Sequence, residues 1–263
     1  MGDFLTANGR LHHFRYRQRN GPRAIAFSNS LGTDSRIWDE VVAGLPSDVS
    51  VLTYDKSGHG LSEDGATTIE EFASDLAALM DELNIRNATI CGVSVGGMIA
   101  QALACSRPDL VADLVLCNTS HQIGTRESWN ERIAKLENIG LEGMADGILE
   151  NWFANAFRNR RPDLVLGYRM MLARTPVEGY RTVCSAIRDA DLSHAIPSIT
   201  CPTFCIAGDN DRATPPSVVE AMSALIPGAK YTCLKGVGHL PCIEAPEILI
   251  KVLRERLGAP HDL

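Results

Sequence analysis

Six short apolar runs recur along the chain, at 24–27, 49–54, 88–92, 114–117, 203–207 and 231–234, and none of them alternates with polar residues. A strand with one wet face alternates; a run that is apolar on both faces predicts a parallel strand covered on either side. Between the runs, apolar residues recur at spacings of three and four. Thr68-Ile69-Glu70-Glu71 is a capping box, and Ile69, Phe72, Leu76, Leu79 and Leu83 then share one helical face. A helical stretch at 95–106 ends just before Pro108, another at 217–226 stops at Pro227-Gly228, and Pro246 is placed to open a last helix. This alternation predicts an α/β fold with a mainly parallel, twisted sheet flanked by helices. Ahead of it, residues 4–16 read as two strands joined by Asn8-Gly9, a two-residue hairpin signal.

One stretch breaks the rhythm. From about 121 to about 187 the pattern reads as helical throughout, with no strand. It carries nine basic and eight acidic residues in a chain whose formal charge is -7, and it holds Trp129 and Trp152, two of the three tryptophans. The expected organisation is a core of residues 1–120 and 187–263 with a helical cap, 121–186, inserted over a pocket that Trp129 and Trp152 would line. Composition does not separate such a lid from an extra helical layer.

With 45% apolar and 22% charged residues the chain is expected to be a soluble globular protein. Its mildly acidic balance is a poor match for nucleic acid or an anionic membrane surface, although a pocket can still be locally basic. No apolar run approaches the roughly 20 residues that cross a bilayer, and no signal-peptide core is present, so the expected location is cytoplasmic. The eight cysteines fit a reduced compartment. Cys91, Cys117 and Cys205 sit in apolar runs, no CxxC pair occurs, and no metal site is expected. The formal glycosylation sequons at Asn87 and Asn118 adjoin apolar strands and read as chance. The sequence is silent on oligomeric state.

Gly92-Val93-Ser94-Val95-Gly96 follows the run 88–92 and opens a helix, the strand–turn–helix context in which a G-x-S-x-G serine projects above a sheet. A serine hydroxyl is a weak nucleophile until a base takes its proton. Of the seven histidines, His12, His13, His121, His194 and His261 read as surface or core residues. His239 lies in a loop just past the last strand, at the sheet edge where Ser94 projects, and is the expected base. A carboxylate must orient the imidazole, and both Asp209 and Asp211 follow the strand 203–207 closely enough. The position of Asp211 further past the strand end favours it over Asp209, which is better placed to cap the turn. The order Ser94, Asp211, His239 is then that of an α/β hydrolase. An oxyanion needs preorganised donors; the backbone N–H groups of Val95 and of Leu31, in the loop Ser28-Asn29-Ser30-Leu31-Gly32-Thr33 after the strand 24–27, are the candidates.

Together with Tyr54-Asp55-Lys56-Ser57-Gly58-His59-Gly60-Leu61-Ser62, Gly208-Asp209-Asn210-Asp211 and the segment from Gly238-His239 to Pro246-Glu247, these motifs resemble the α/β-hydrolase superfamily over essentially the whole chain. Within it the chain is similar to the 3-oxoadipate enol-lactonases, through Ser28 to Asp34, Asn151-Trp152-Phe153 and the segment from Cys184 to Asp191. Lys56-Ser57 departs from the pattern, in which an arginine commonly precedes Gly-His-Gly. The resemblance implies a serine hydrolase that opens a small, carboxylate-bearing enol-lactone of aromatic catabolism without a cofactor. A general carboxylesterase or perhydrolase, or a C–C bond hydrolase, would use the same triad with a different pocket. A ligand receptor that kept the fold is the non-enzymatic alternative. Nine arginines in or beside the cap are candidates to meet a substrate carboxylate, and the sequence does not choose among them.

Overall fold

The computed structural model describes residues 2–258. Strands β1 (Asp3–Ala7) and β2 (Arg10–Arg17) form the N-terminal hairpin, turning through Asn8 and Gly9, both at positive φ (52° and 76°). That is the primed-turn geometry whose twist matches paired strands. Strands β3 (Ala24–Ser28), β4 (Ser50–Tyr54), β5 (Ala88–Val93), β6 (Val111–Cys117), β7 (Thr203–Gly208) and β8 (Lys230–Leu234) complete one sheet in the order β1-β2-β4-β3-β5-β6-β7-β8. From β4 to β8 all pairings are parallel; the hairpin adds antiparallel strands at one edge.

The helices are α1 (Asp39–Ala43), α2 (Ile69–Glu82), α3 (Val95–Ser106), α4 (Arg126–Trp152), α5 (Asn155–Arg160), α6 (Pro162–Ala173), α7 (Val177–Asp189), α8 (Pro216–Leu225), α9 (Pro241–Glu244) and α10 (Pro246–Arg256). Half of the expected capping box at the start of α2 forms: Thr68 Oγ1 accepts from Glu71 N–H at 3.2 Å, but the Glu71 carboxylate accepts from Thr67 N–H (2.6 Å), one residue before the cap; Ile69, Phe72, Leu76 and Leu79 are buried. Strand β6 begins at Val111, earlier than its apolar run indicates, because Asp113 interrupts the run. The structure accommodates that carboxylate by pairing it with Arg256 of α10, so a charged residue sits within a strand without breaking it.

The segment between β6 and β7 is less uniform than its sequence pattern. Residues 121–125 form a loop, and α4 starts only after Thr125, whose hydroxyl accepts from Ser128 N–H. The helix breaks at Gly140 (φ 66°), a backbone conformation that glycine adopts without a Cβ penalty. Further interruptions separate α4 to α7, which continue to Asp189. Helix α4 packs against α6 and α7. All eight cysteines are free thiols. Among the described residues no helix is long and apolar enough to cross a membrane.

The strand order places the site. From β3 the chain moves outward to β4 and then crosses back to β5, so the connections that leave the adjacent strands β3 and β5 diverge. A crevice opens at the carboxyl ends of strands at such a switch point. Ser28, the last residue of β3, pairs with Gly92 of β5, which sets the loop 29–34 beside the turn at Ser94.

Candidate active site

Ser94 joins β5 to α3 with φ 58° and ψ -124°, a left-handed conformation for a residue that carries a Cβ. Such backbone strain costs of order 1–3 kcal/mol and persists only where the surroundings enforce it. Here they do. Ser94 N–H donates to Cys117 O at 3.0 Å, and Thr119 Oγ1 donates to Ser94 O at 2.6 Å, so the end of β6 grips both sides of the turn. The flanking glycines are required by contact: a Cβ on Gly92 would stand 2.3 Å from Gly96 O, and one on Gly96 would stand 2.1 Å from Ser28 O. The first N–H groups of α3 lack intrahelical acceptors and carry the positive end of the helix dipole; that of Val95 is the first of them.

His239 is buried on the loop after β8. Its Nδ1 lies 2.8 Å from Asp211 Oδ2, and its own N–H donates to Trp152 O at 2.8 Å. Asp211 is positioned in turn: Oδ1 accepts from Ala213 N–H (2.8 Å) and Thr214 N–H (3.1 Å), and Oδ2 from Thr214 Oγ1 (2.7 Å). Asp209 does a different job, accepting from Gly236 N–H at 2.7 Å and lying 3.5 Å from Lys235 Nζ, and thereby tying the turn after β7 to the turn after β8. With Nδ1–H donated to a carboxylate, Nε2 of His239 is left as an acceptor. Ser94, His239 and Leu31 line one cavity of about 520 Å³, and Trp129 and Trp152 line it from the cap side.

The loop after β3 is held at three points. Asn29 Nδ2 donates to Thr33 O (2.6 Å), the fully buried Lys56 donates to Ser30 O (2.6 Å) and Thr33 O (3.2 Å), and Gly32 N–H donates to His59 Nε2 (2.9 Å). Burial pushes the His59 imidazole well below its ordinary value, as does the neighbouring Lys56 charge. It is therefore neutral and can accept from Gly32. With Gly32 N–H so engaged and Thr33 N–H donated to Ser30 O at 3.3 Å, neither of these two can serve a ligand; the cavity-lining residues of this loop are Ser30 and Leu31, the second of them the expected donor.

Two of these features were invisible as function in the sequence. His59 sits in a Gly-His-Gly turn after β4 with nothing to mark it as a loop support. Asn118, read as part of a chance sequon, ends β6 at φ 44°; its Nδ2 donates to Gly238 O (2.8 Å) and its Oδ1 accepts from Gly208 N–H (2.7 Å). One buried amide thus joins the ends of β6 and β7 to the His239 loop. An asparagine directly after an apolar strand, where left-handed backbone is tolerated, is the only signal the sequence carries. Of the other histidines, His12 contacts Ala7 O and His13 pairs with Asp55; His261 lies outside the described residues.

Arg132, on α4, lies on the cavity wall. Its Nε and Nη2 both donate to the Tyr180 hydroxyl (3.0 and 2.5 Å), and its guanidinium stacks over the Trp129 and Tyr180 rings. Burial pushes the Tyr180 phenol up to about 12, so it stays neutral. Among the described residues no carboxylate forms an ion pair with Arg132. Arg132, Lys135 and Arg212 face a single lining carboxylate, Glu131, which makes a locally basic chamber in an acidic chain. Among the described residues no cluster of three or more His, Cys, Asp or Glu side chains is placed to hold a metal ion.

Comparison with known proteins identifies the frame. The Alpha/beta hydrolase family model matches residues 25–252. The chain belongs to the α/β hydrolase family. Among its relatives, 3-oxoadipate enol-lactonase 1 of Acinetobacter baylyi is 35% identical over 89% of this chain and 90% of its own length. 3-Oxoadipate enol-lactonase 2 of the same organism is 32% identical over 93% of this chain and 92% of its own length. The crystal structure of the enol-lactonase from Burkholderia xenovorans LB400 superposes with a TM-score of 0.93 at 36% identity, covering 97% of this chain and all (100%) of that one. This hydrolase thus has an enzyme's fold and an enzyme's relatives over most of its length.

A carboxylate behind His239 should make the stability of this hydrolase depend on pH. Glu244 holds Gly238 N–H (3.0 Å) and Ala154 N–H (3.2 Å), bridging the His239 loop to the cap, and burial raises it from its ordinary 4.5 to about 7. The folded chain then holds this proton more tightly than the unfolded chain does, so the group's stabilising contribution is full below about 4.5 and fades as pH rises to about 7. Relative to Glu244→Gln, the wild-type protein should lose about 3 kcal/mol between these limits. Denaturant melts of both proteins across pH 4.5–8 measure this; a constant difference would show that Glu244 is not raised.

Proposed function

We propose that Ser94, His239 and Asp211 act as nucleophile, base and orienting acid in the hydrolysis of a small, carboxylate-bearing enol-lactone, with 3-oxoadipate enol-lactone as the substrate indicated by the named relatives. The observation that carries the choice is Arg132, a cation without a carboxylate partner on the same cavity wall as Ser94 and His239. Arg132 is only half-buried, but it faces the cavity with no carboxylate paired to it among the described residues, and a substrate carboxylate bound there would exclude water from the pair and strengthen it.

In this reading Nε2 of His239 takes the Ser94 hydroxyl proton as Oγ attacks the lactone carbonyl. Asp211 stabilises the imidazolium through Nδ1–H, and the N–H groups of Leu31 and Val95 receive the developing oxyanion. Collapse breaks the ring C–O bond; the enol oxygen leaves with the proton from His239 and then tautomerises to a ketone. Water, deprotonated by His239, hydrolyses the acyl-Ser94 ester and returns the enzyme to its starting state. An enol is a good leaving group, so the pocket's work is orientation and exclusion. That work falls to the cap, which supplies Trp129, Arg132 and Trp152; residues 121–186 serve as the lid of the site. The chemistry calls on no cofactor.

The test uses two substrates. The wild-type enzyme should prefer the enol-lactone over 4-nitrophenyl acetate by several orders of magnitude in kcat/KM. Arg132→Met should raise KM for the lactone about 30- to 1,000-fold, the span expected for removing one partner of a desolvated charge pair. It should leave the neutral acetate within about twofold. Equal losses on both esters would make Arg132 a structural residue, and a wild-type enzyme indifferent between them would favour a general esterase.

A further inference from the structure

Lys56 is placed where a charged side chain needs a reason to be. It follows β4 and is 1% exposed. Its Nζ donates to Ser30 O at 2.6 Å and to Thr33 O at 3.2 Å, with the carboxylates of Asp55 and Asp34 near enough to favour the ammonium form. Burial lowers the amine to about 7, and even when neutral it retains two N–H donors for its two acceptors.

The acceptors matter because of what lies on the other end of the peptide. Ser30 C=O and Leu31 N–H belong to one planar trans unit, so they point in opposite directions. Fixing Ser30 O against Lys56 aims Leu31 N–H away from Lys56, on the side where Leu31 and Ser94 line the cavity. The other donors to these two carbonyls, Thr33 N–H (3.3 Å) and Thr33 Oγ1 (2.9 Å) to Ser30 O and Asn29 Nδ2 to Thr33 O (2.6 Å), come from within the loop and move with it. Lys56 comes from the end of β4, so it ties the loop to the sheet.

We propose that Lys56 is a positioning residue for the oxyanion site: by holding Ser30 O and Thr33 O it orients the Ser30–Leu31 peptide, and with it the Leu31 N–H, towards the acyl oxygen on Ser94. The inference rests on the serine-hydrolase reading above. It separates Lys56 from an ordinary buried structural lysine, because its effect falls on the transition state rather than on folding or on substrate binding.

Lys56→Met shortens the unbranched side chain by one atom and removes its donors. Both carbonyls retain the loop's own donors, and replacing a buried charge by an apolar group of similar size is often neutral or stabilising, so the melting temperature should hold or rise. With 4-nitrophenyl acetate kcat should fall about 10- to 100-fold with KM nearly unchanged, somewhat less than for outright loss of an oxyanion donor. An alkylboronic acid, which captures Ser94 as a tetrahedral adduct, should lose affinity by the same factor, while adipate, a dicarboxylate of product-like length, should bind as before. Lys56→Gln, which keeps an N–H donor, should recover part of kcat. Ser94→Ala runs beside them: its retention of turnover overturns the serine reading and this inference with it. An inactive Ser94→Ala beside a Lys56→Met enzyme of unchanged kcat and boronate affinity overturns this inference alone. Equal weakening of boronate and adipate, or failure of both Lys56 variants to fold, makes Lys56 structural and overturns it as well.

Discussion

Ser94→Ala should lower kcat about 10⁵- to 10⁶-fold, the scale on which losing a triad nucleophile acts, while the protein keeps its fold. The turn is held through main-chain groups, Ser94 N–H to Cys117 O and Thr119 Oγ1 to Ser94 O, and alanine presents the same backbone. The positive φ of 58° is equally strained for either residue, so stability should change by less than about 1 kcal/mol. Steady-state kinetics and thermal melts measure the two quantities. Mass spectrometry after exposure to a fluorophosphonate adds the chemical readout: one adduct on the wild-type protein, none on the variant. A variant that keeps more than a few per cent of kcat would transfer the nucleophile's role to another group.

The second large effect distinguishes two carboxylates that lie two positions apart on one loop. Asp211→Asn should cost about 10⁴ in kcat. An asparagine amide can offer N–H to His239 Nδ1 and so stabilise the tautomer that carries its proton on Nε2, which cannot accept from Ser94. The imidazolium also loses its counter-charge. Asp209→Asn should stay within about tenfold of wild type, because its contacts, Gly236 N–H and Lys235 Nζ, lie on the surface side of the loop, and exposed pairs contribute little. Parallel kcat/KM measurements decide the matter. A severe Asp209→Asn and a mild Asp211→Asn would mean that the base is oriented from a different side than the geometry indicates.

Much of this architecture is legible in one sequence because local physics and fold agree. Thr68 and Glu71 announce the start of α2, Asn8-Gly9 announces the hairpin, and the glycines around Ser94 are spaced by the close approaches that the turn creates. What stayed hidden depends on partners remote in the chain. Asp113 obscured the first half of β6 because its neutralising Arg256 lies at the other end of the sequence, 143 residues on. The nine cap arginines look alike as letters; only folding shows that Arg169 meets Glu142 and Asp146, and that Arg181 meets Glu178, whereas Arg132 meets a tyrosine. Asn118 and His59 act through backbone groups of other loops, and a backbone group leaves no mark in composition.

The amide of His239 is bonded to Trp152 O at the end of α4, and this limits how far the enzyme can be re-engineered. Grafting a foreign cap onto this sheet would exchange more than the specificity surface, because the stitch that seats the imidazole would leave with the donor segment. Chimeras that respect the junction at 152–154, and keep Glu244 opposite it, should retain turnover that wholesale exchange forfeits.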